Sequence, residues 1–242
     1  MLPDSLYFIL GSAIGSFLNV LIYRLPRNIS VVTPRSFCPK CEAMIPFYRN
    51  IPIVSFIIQL GKCGNCSNRI SFLYPIIEIL SAIALVFSVK TISYPESLSF
   101  YWMFTSLLVL TIIDQKWMQV PTTIIISMAF GLLCYHLIWT VDLMVPISGT
   151  IIGLGFISFV VAFNWFIFHK QTMGLGDLFI IAILGAWLGP IQIFIAIVLS
   201  SILALIVFIS LSFMEGFNRS KALPFIPYLS FSSIITYLIN PL

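Results

Sequence analysis

Charged side chains are scarce in this sequence, at 8% of 242 residues, whereas hydrophobic residues make up 60%. Ordinary soluble domains carry about 25% charged residues, so the composition excludes a water-soluble globular protein. A hydrocarbon core about 30 Å thick needs a helix of about 20 apolar residues, and stretches of this kind recur along nearly the whole chain. The sequence therefore predicts an all-α, polytopic membrane protein.

The hydrophobic runs and their breakers predict about eight transmembrane helices. We place them near residues 3–23, 72–91, 98–115, 121–140, 145–168, 175–189, 190–213 and 224–240. The first run lacks a basic n-region and a small-residue cleavage site, so we expect a retained helix and not a removed signal peptide. Two helices would meet at Gly189-Pro190 with almost no loop. We predict this split because it keeps Arg219 and Lys221 on the same side as the other basic loops.

Basic residues concentrate in one polar insert, residues 24–71, between the first and second helices. It holds seven of the twelve Lys and Arg residues, which are Arg24, Arg27, Arg35, Lys40, Arg49, Lys62 and Arg69. The positive-inside rule then places this insert in the cytoplasm, with both termini outside. With eight helices, Lys116 and Lys170 also fall in cytoplasmic connections, and only Lys90 lies at an external end. No internal repeat is evident in the sequence.

The insert contains two CxxC pairs, Cys38-Pro39-Lys40-Cys41 and Cys63-Gly64-Asn65-Cys66. Each CxxC turn lets two thiolates converge on one ion, and two such turns complete a tetrahedral zinc site. Four thiolates close the coordination sphere, so the predicted zinc is structural. Disulfides rarely persist in the reducing cytoplasm, which leaves redox-active or free thiols as the alternative. Cys134 lies in an apolar run and is predicted to be a small buried hydrophobic residue.

Two aspartates, Asp114 and Asp177, lie at the ends of predicted helices and at the same cytoplasmic depth. Acidic residues within membrane helices are costly and commonly functional. Two carboxylates a few ångströms apart can share a proton, so that one activates a water and the other donates to a scissile carbonyl. Either residue alone could instead be a helix cap or a solvated helix end. Gly174 and Gly176 would let backbone or an extended substrate approach Asp177.

The remaining titratable residues give weaker signals. Glu78 lies about one and a half turns into the second helix, where a buried acid bonded to a neighbour and a functional acid are equally favoured. Asp142 falls in an external turn, as a solvated cap would. His136 and His169 show no ligand pattern and are predicted to lie at the membrane interface.

Taken together, these residues resemble the prepilin peptidase family, the bifunctional leader peptidases and N-methyltransferases of type IV pilus and type II secretion systems. The resemblance covers residues 11 to about 230. The matching motifs, in chain order, are Gly11-Ser12-Ala13-Ile14-Gly15-Ser16-Phe17-Leu18-Asn19-Val20, Tyr23-Arg24-Leu25-Pro26, Cys38 through Asn50-Ile51-Pro52, Gly61, Cys63, Cys66, Ile70-Ser71, Tyr74-Pro75, Glu78, Asp114, Pro121, Gly174-Leu175-Gly176-Asp177 and Gly185-Ala186-Trp187-Leu188-Gly189.

The resemblance implies a GxGD aspartic protease of the bacterial inner membrane, with Asp114 and Asp177 as its catalytic pair. Its substrates would be prepilins or pseudopilins with a short basic leader, and its partners the pilus or type II secretion machinery, with no nucleic acid. The resemblance also associates the four cysteines, Gly61 and Glu78 with methylation of the new N-terminus by S-adenosylmethionine. The implied domains are a first helix at 1–23, a methyltransferase-associated insert at 24–71 and a peptidase core at 72–242.

Two positions depart from the family pattern, since Thr122 follows Pro121 where Asp is common and Phe179 stands where Lys is frequent. The departures put substrate preference in question and leave both aspartates in place. A GxGD protease without methyltransferase activity is one alternative, which the cysteine insert disfavours. A proton-coupled transporter is another. The absence of repeats, and the placement of both aspartates at one membrane face, disfavour that alternative.

Overall fold

The computed structural model describes residues 3–139, 143–169, 174–215 and 223–239. Within these ranges the chain is helical and contains two isolated β-bridges but no β-strand. The predictions made for Asp142, Lys170, Arg219 and Lys221 fall outside the described residues. The helices are α1 Asp4–Arg24, α2 Val54–Ile58, α3 Leu73–Thr91, α4 Glu96–Trp117, α5 Thr122–Trp139, α6 Met144–Phe168, α7 Leu175–Leu188, α8 Pro190–Glu215 and α9 Ile226–Ile239.

Six of the described helices, α1, α3, α4, α5, α6 and α8, are long and apolar enough to cross a membrane. The other two large helices, α7 and α9, are apolar but only 14 residues long. The predicted polytopic, all-α fold is thus confirmed, and no helix start or end differs from its predicted position by more than two residues. The sequence did not predict the short helix α2.

The predicted break between α7 and α8 is present. Helix α7 ends at Leu188, Gly189 has a φ of 80°, and Pro190 is the first residue of α8. Glycine tolerates this left-handed backbone at the end of a helix, and proline suits the first position of the next one because its missing N–H would have no helical partner there. The local sequence Gly-Pro therefore explains two helices joined by a single residue.

The chain divides into two compact units, Met1–Thr105 and Ser106–Leu242. In the first unit, α1 packs closely on α3 through two glycines. A Cβ added to Gly11 would lie 2.6 Å from Cα of Ala82, and one added to Gly15 would lie 2.6 Å from Cα of Glu78. Small residues four apart allow membrane helices to approach this closely. The Ser81 hydroxyl adds a buried 2.7 Å hydrogen bond to the Gly11 carbonyl.

In the second unit, three neighbouring helices fix the position of α7. A Cβ on Gly149 of α6 would overlap the carbonyl oxygen of Gly185, so these two helices are nearly in backbone contact. From α9, the Tyr237 ring stacks on Trp187 with centroids 4.6 Å apart. From α5, Nε2 of His136 lies 3.2 Å from the Ala186 carbonyl oxygen. The first turn of α7, which carries Asp177, is therefore supported by a well-packed helix.

Candidate active site and four-cysteine cluster

Asp114 lies in the last turn of α4 and is buried. Its Oδ2 accepts a hydrogen bond of 3.2 Å from the backbone N–H of Ile226, the first residue of α9. The first N–H groups of a helix have no acceptor within that helix and carry a partial positive charge. The end of α9 thus supplies a favourable electrostatic environment for the Asp114 carboxylate and fixes its orientation.

Asp177 is the third residue of α7 and is half-buried. A carboxylate in the first turn of a helix interacts favourably with the helix dipole. Gly174, the exposed residue that precedes α7, lies beside this carboxylate, because a Cβ added there would be 3.7 Å from Oδ2 of Asp177. The glycine leaves one side of the Asp177 carboxylate open to an approaching chain.

The two aspartates are brought near each other by the segment that follows α4. Gly176 packs directly against Val120, six residues after Asp114, and an added Cβ would lie 2.9 Å from Cβ of Val120. The start of α7 therefore rests on the loop that follows Asp114. Gly176 is required by a contact within the protein, whereas Gly174 is the glycine that faces outward.

One residue of this site, Ile226, was missed by the sequence reasoning. Its contribution is a main-chain N–H, so the identity of its side chain gives no signal. The flanking Pro224 and Pro227 are typical of a helix start but do not indicate which acid it faces. Thr122 is the exposed first residue of α5, and Phe179 is exposed on α7, so these two departures change the surface of the second unit and not its core.

The four cysteines of the insert form a cluster in the first unit. The Sγ atoms of Cys38, Cys41, Cys63 and Cys66 all lie within 4.8 Å of one another, and those of Cys38 and Cys66 are 3.9 Å apart. All five cysteines of the chain are among the described residues and are free thiols. Cys134 lies apart on α5 and is half-buried, not fully buried as predicted. The cluster could hold a metal ion.

Although no repeat is evident in the sequence, the cluster consists of two equivalent turns 25 residues apart. In the first turn, the Cys38 N–H donates to Ala43 O and the Glu42 N–H to Cys38 O. In the second, the Cys63 N–H donates to Asn68 O and the Ser67 N–H to Cys63 O. Glu42 and Ser67 share a φ of 56°, and β-bridges Phe37–Met44 and Lys62–Arg69 close the turns. We call these two turns the cysteine knuckles.

The thiols of the second knuckle differ in charge preference: desolvation and hydrogen bonds with the neighbouring cysteines raise the pKa of Cys66 to about 11, whereas Cys63 favours the thiolate. Backbone N–H groups of Cys66 and Asn65 donate to the Cys63 sulfur and lower the pKa of that thiol to about 6, because hydrogen bonds to the charged form stabilise it. The Arg49 guanidinium lies against Gly64, where an added Cβ would be 2.7 Å from Cζ of Arg49. Glycine at this position therefore admits a cation to the second knuckle.

Glu78 joins the insert to the helices of the first unit. Its buried Oε2 accepts a 2.7 Å hydrogen bond from the Ile53 N–H, and it also bonds the Ser16 side chain of α1. Asn19 of α1 donates to Tyr74 O at 3.1 Å. Glu78 is thus a buried, hydrogen-bonded acid. Gly61 has a φ of 66°, and an added Cβ would lie 3.1 Å from the Phe56 ring.

Arg24, which the sequence marked only as a basic residue of the insert, is buried and holds a loop in place. It is 4% exposed, and its guanidinium donates to the carbonyl oxygens of Ser30, Val31, Pro34 and Arg35 at 2.7 to 3.3 Å. Guanidinium has five donors in a fixed plane, so one side chain can bond several backbone carbonyl oxygens of one loop. Arg24 thereby orders the beginning of the insert at the end of α1.

Comparison with known proteins identifies the family. Residues 9–92 match the Bacterial Peptidase A24 N-terminal domain, and residues 101–209 match the Type IV leader peptidase family. Among curated relatives, the prepilin leader peptidase/N-methyltransferase of Aeromonas salmonicida is 31% identical over 97% of this chain and 90% of its own length. The proteins of that name from Aeromonas hydrophila and Neisseria gonorrhoeae are 32% and 31% identical, over 97% and 96% of this chain and 90% and 89% of their own lengths.

No solved structure matches this chain. The fold and the pair of acids define a polytopic membrane protein with a candidate aspartic peptidase site. Since relatives more than 30% identical align over nearly the full length of both chains, the chain belongs to the type IV leader peptidase family.

Glu78→Ala is expected to release the segment around Ile53, because it removes the buried acceptor of the Ile53 N–H. Loss of such a bond costs about 1–3 kcal/mol, which should raise amide hydrogen exchange in peptides covering residues 53–58. Glu78→Gln retains a carbonyl acceptor and serves as the matched control, with exchange near that of the wild type. Equal protection of these peptides in Glu78→Ala and wild-type protein would show that Glu78 does not anchor the insert.

Proposed function

We propose that this chain cleaves the leader peptide of prepilins at the cytoplasmic face of the bacterial inner membrane and methylates the new N-terminus, with Asp114 and Asp177 as the catalytic pair of the cleavage reaction. The observation that carries the proposal is the contact of Gly176, the residue before Asp177, with Val120 in the loop that follows Asp114, in a leader-peptidase family member. The curated relatives carry the name prepilin leader peptidase/N-methyltransferase, which supports both activities.

In the cleavage step, the two carboxylates share one proton. The ionised aspartate removes a proton from a water as its oxygen attacks the scissile carbonyl carbon, while the protonated aspartate donates to the carbonyl oxygen. The tetrahedral intermediate then collapses and the C–N bond breaks. The leaving nitrogen takes the proton held by the first carboxylate, and the second carboxylate recovers its proton from a hydroxyl of the intermediate. Water is consumed, and a free leader carboxylate and a new N-terminal amine are the products.

Helix ends position this pair. The α9 N–H of Ile226 holds Oδ2 of Asp114, which leaves Oδ1 available for the water or the partner acid. The first turn of α7 supports the charge of Asp177. Exposed Gly174 beside the Asp177 carboxylate supports the entry of an extended substrate there, since a side chain would narrow this approach.

The membrane orientation follows from charge. The insert carries seven of the twelve basic residues of the chain, and such loops stay on the cytoplasmic side. Both Asp114 at the end of α4 and Asp177 at the start of α7 then face the cytoplasm in the predicted topology. Prepilins or pseudopilins are the proposed substrates, and the pilus or type II secretion machinery receives the product.

We assign zinc to the cysteine knuckles. Tetrahedral coordination with Zn–S distances of about 2.3 Å places the sulfurs about 3.8 Å apart, and the 3.9 Å separation of the Cys38 and Cys66 sulfurs fits this geometry. Cys38, Cys41, Cys63 and Cys66 would fill the coordination sphere, which leaves no position for a hydrolytic water. The zinc is therefore structural, and cleavage rests on the aspartates.

Methyl transfer is assigned to the insert. S-adenosylmethionine would supply an electrophilic methyl group to the N-terminal amine that cleavage exposes. The insert at 24–71, with Gly61 and with Glu78 as its anchor, would serve this reaction, whereas the first helix at 1–23 holds it to the membrane. The peptidase core is proposed to span 72–242, so that Glu78 lies in this core while it holds the insert.

Asp114→Asn and Asp177→Asn are each expected to abolish cleavage of a prepilin in liposomes, because an amide can neither accept the proton of the water nor share one with its partner. Loss of an acid–base catalyst costs a factor of about 10² to 10⁴, measured here by the rate of leader release. Asp4→Asn changes an exposed acid that pairs with Lys90 and should cleave normally. Wild-type rates in either active-site variant would remove the pair from catalysis.

Purified protein is expected to contain about one zinc ion per chain, measured by mass spectrometry of the metal. Cys63→Ser should lose most of this zinc, because three thiolates leave the tetrahedral site open. Cys134→Ser changes a cysteine outside the cluster and should retain it, as should Asp114→Asn. Freshly reduced protein with less than about half an equivalent would instead indicate plain thiols.

Labelled S-adenosylmethionine is expected to transfer its methyl group to a pilin whose leader has already been removed. Asp114→Asn should still methylate this product, since the acid pair serves only cleavage. Gly61→Ala should methylate poorly, because a side chain at this positive φ is strained and meets the Phe56 ring. Absence of label in product incubated with wild-type enzyme would reduce the function to a peptidase.

A further inference from the structure

The polar insert contains an unexpectedly apolar stretch, residues 47–60, which we call the apolar segment. It lies between the two cysteine knuckles and carries one charged residue, Arg49. Many of its large side chains are exposed, with Ile58 at 76% and Leu60 at 83%. The others are Phe47, Tyr48, Ile51, Val54 and Ile57. A contiguous exposed patch of this kind marks an interaction surface.

The depth of this segment is set by Glu78. The Ile53 N–H bonds Oε2 of Glu78 at 2.7 Å, and Glu78 is five residues after Leu73, the first residue of α3. With a rise of 1.5 Å per residue, Glu78 lies about 7.5 Å along this helix. Since α3 is long and apolar enough to cross a membrane, the apolar segment runs beside its first turns, where a bilayer passes from headgroups to acyl chains.

The backbone of the segment is suited to this depth. Within α2 and its ends, the N–H groups of Ser55, Ile57 and Gln59 donate to carbonyls four residues earlier at 3.0 to 3.1 Å. Ile53 has a φ of 63°, and the Val54 N–H bonds Pro52 O, which forms a γ-turn that is rare for a β-branched residue. The turn directs the Ile53 N–H to Glu78. Internal bonding of this kind is what an apolar environment requires.

The segment also has two distinct faces. Ser55 is buried, and the half-buried Phe56 ring contacts the ring of Phe72 with centroids 5.3 Å apart. Val54, Ile57 and Ile58 point away from the protein. One face therefore holds α2 to the unit, and the other is left for the surroundings.

We propose that the apolar segment lies in the interface of the bilayer, with α2 as an in-plane helix whose exposed side chains enter the lipid. Fourteen residues are too few to span a bilayer and fit an interfacial segment. The surrounding insert has seven basic residues and one acidic residue, Glu42, which complements anionic headgroups. In this proposal the insert is bound to the membrane surface and is not a free cytoplasmic domain.

The test places a benzophenone amino acid at Ile58 of the full chain, in nanodiscs of phosphatidylglycerol and phosphatidylcholine. Irradiation is expected to give protein–lipid adducts by intact mass, several-fold above those from the same group at Asn68. Asn68 is also exposed but lies on the second knuckle, so it is the matched control. Leu60 supplies a second position should the Ile58 variant be unstable, as judged by its elution and thermal midpoint.

Adducts at Ile58 or Leu60 that are no more frequent than at Asn68 would overturn the proposal. An adduct of twice the protein mass would overturn it as well, because it would place a second copy of the chain on this surface. Abundant phospholipid adducts at both Ile58 and Leu60, with few at Asn68, would support the location of the apolar segment in the bilayer interface.

Discussion

Every charged group placed among membrane helices must find a partner for its charge, because the hydrocarbon offers no water. Here the partners are main-chain N–H groups. Asp114 accepts a hydrogen bond from the backbone N–H at the start of α9, and Glu78 accepts one from the N–H of a γ-turn in the insert. Asp177 lies in the first turn of its own helix. No basic side chain neutralises these acids among the bonds described. Because neither aspartate is held by a salt bridge among these bonds, both remain available for the proposed proton transfer, with which a paired cation would compete.

Glycine residues determine how closely the helices and loops pack on one another. Gly11 and Gly15 allow α1 to lie on α3, Gly176 allows the start of α7 to rest on Val120, and Gly64 admits Arg49 to a cysteine knuckle. In each case a missing side chain lets two segments of the chain come into close contact. Glycine therefore determines where the functional groups of this chain converge, while the bulky apolar residues determine only that they lie in a membrane.

Much of this arrangement was predictable from the sequence, and the rest was not for definable reasons. Helix bounds followed from runs of apolar residues, and the cysteine cluster followed from two CxxC pairs, because ligand spacing is local. The Ile226 donor and the Ile53–Glu78 bond escaped prediction because they depend on backbone atoms far away in the chain. The burial of Arg24 escaped it because its partners are backbone carbonyl oxygens of an irregular loop, whose side chains give no signal. The apolar segment was hidden by its place inside a basic insert. The knuckle repeat was hidden because it conserves turns and hydrogen bonds more than residues.

The position of the apolar segment between the two knuckles has a thermodynamic consequence. A metal ion bound by Cys41 and Cys63 closes the intervening chain into a loop, which removes much of the freedom that this chain would regain on leaving its seat. The proposed metal and the proposed lipid contact would then stabilise the same conformation, so that each would strengthen the other by an equal coupling free energy. Depletion of the metal would weaken the binding of the insert to the bilayer, although every lipid-facing residue is unchanged.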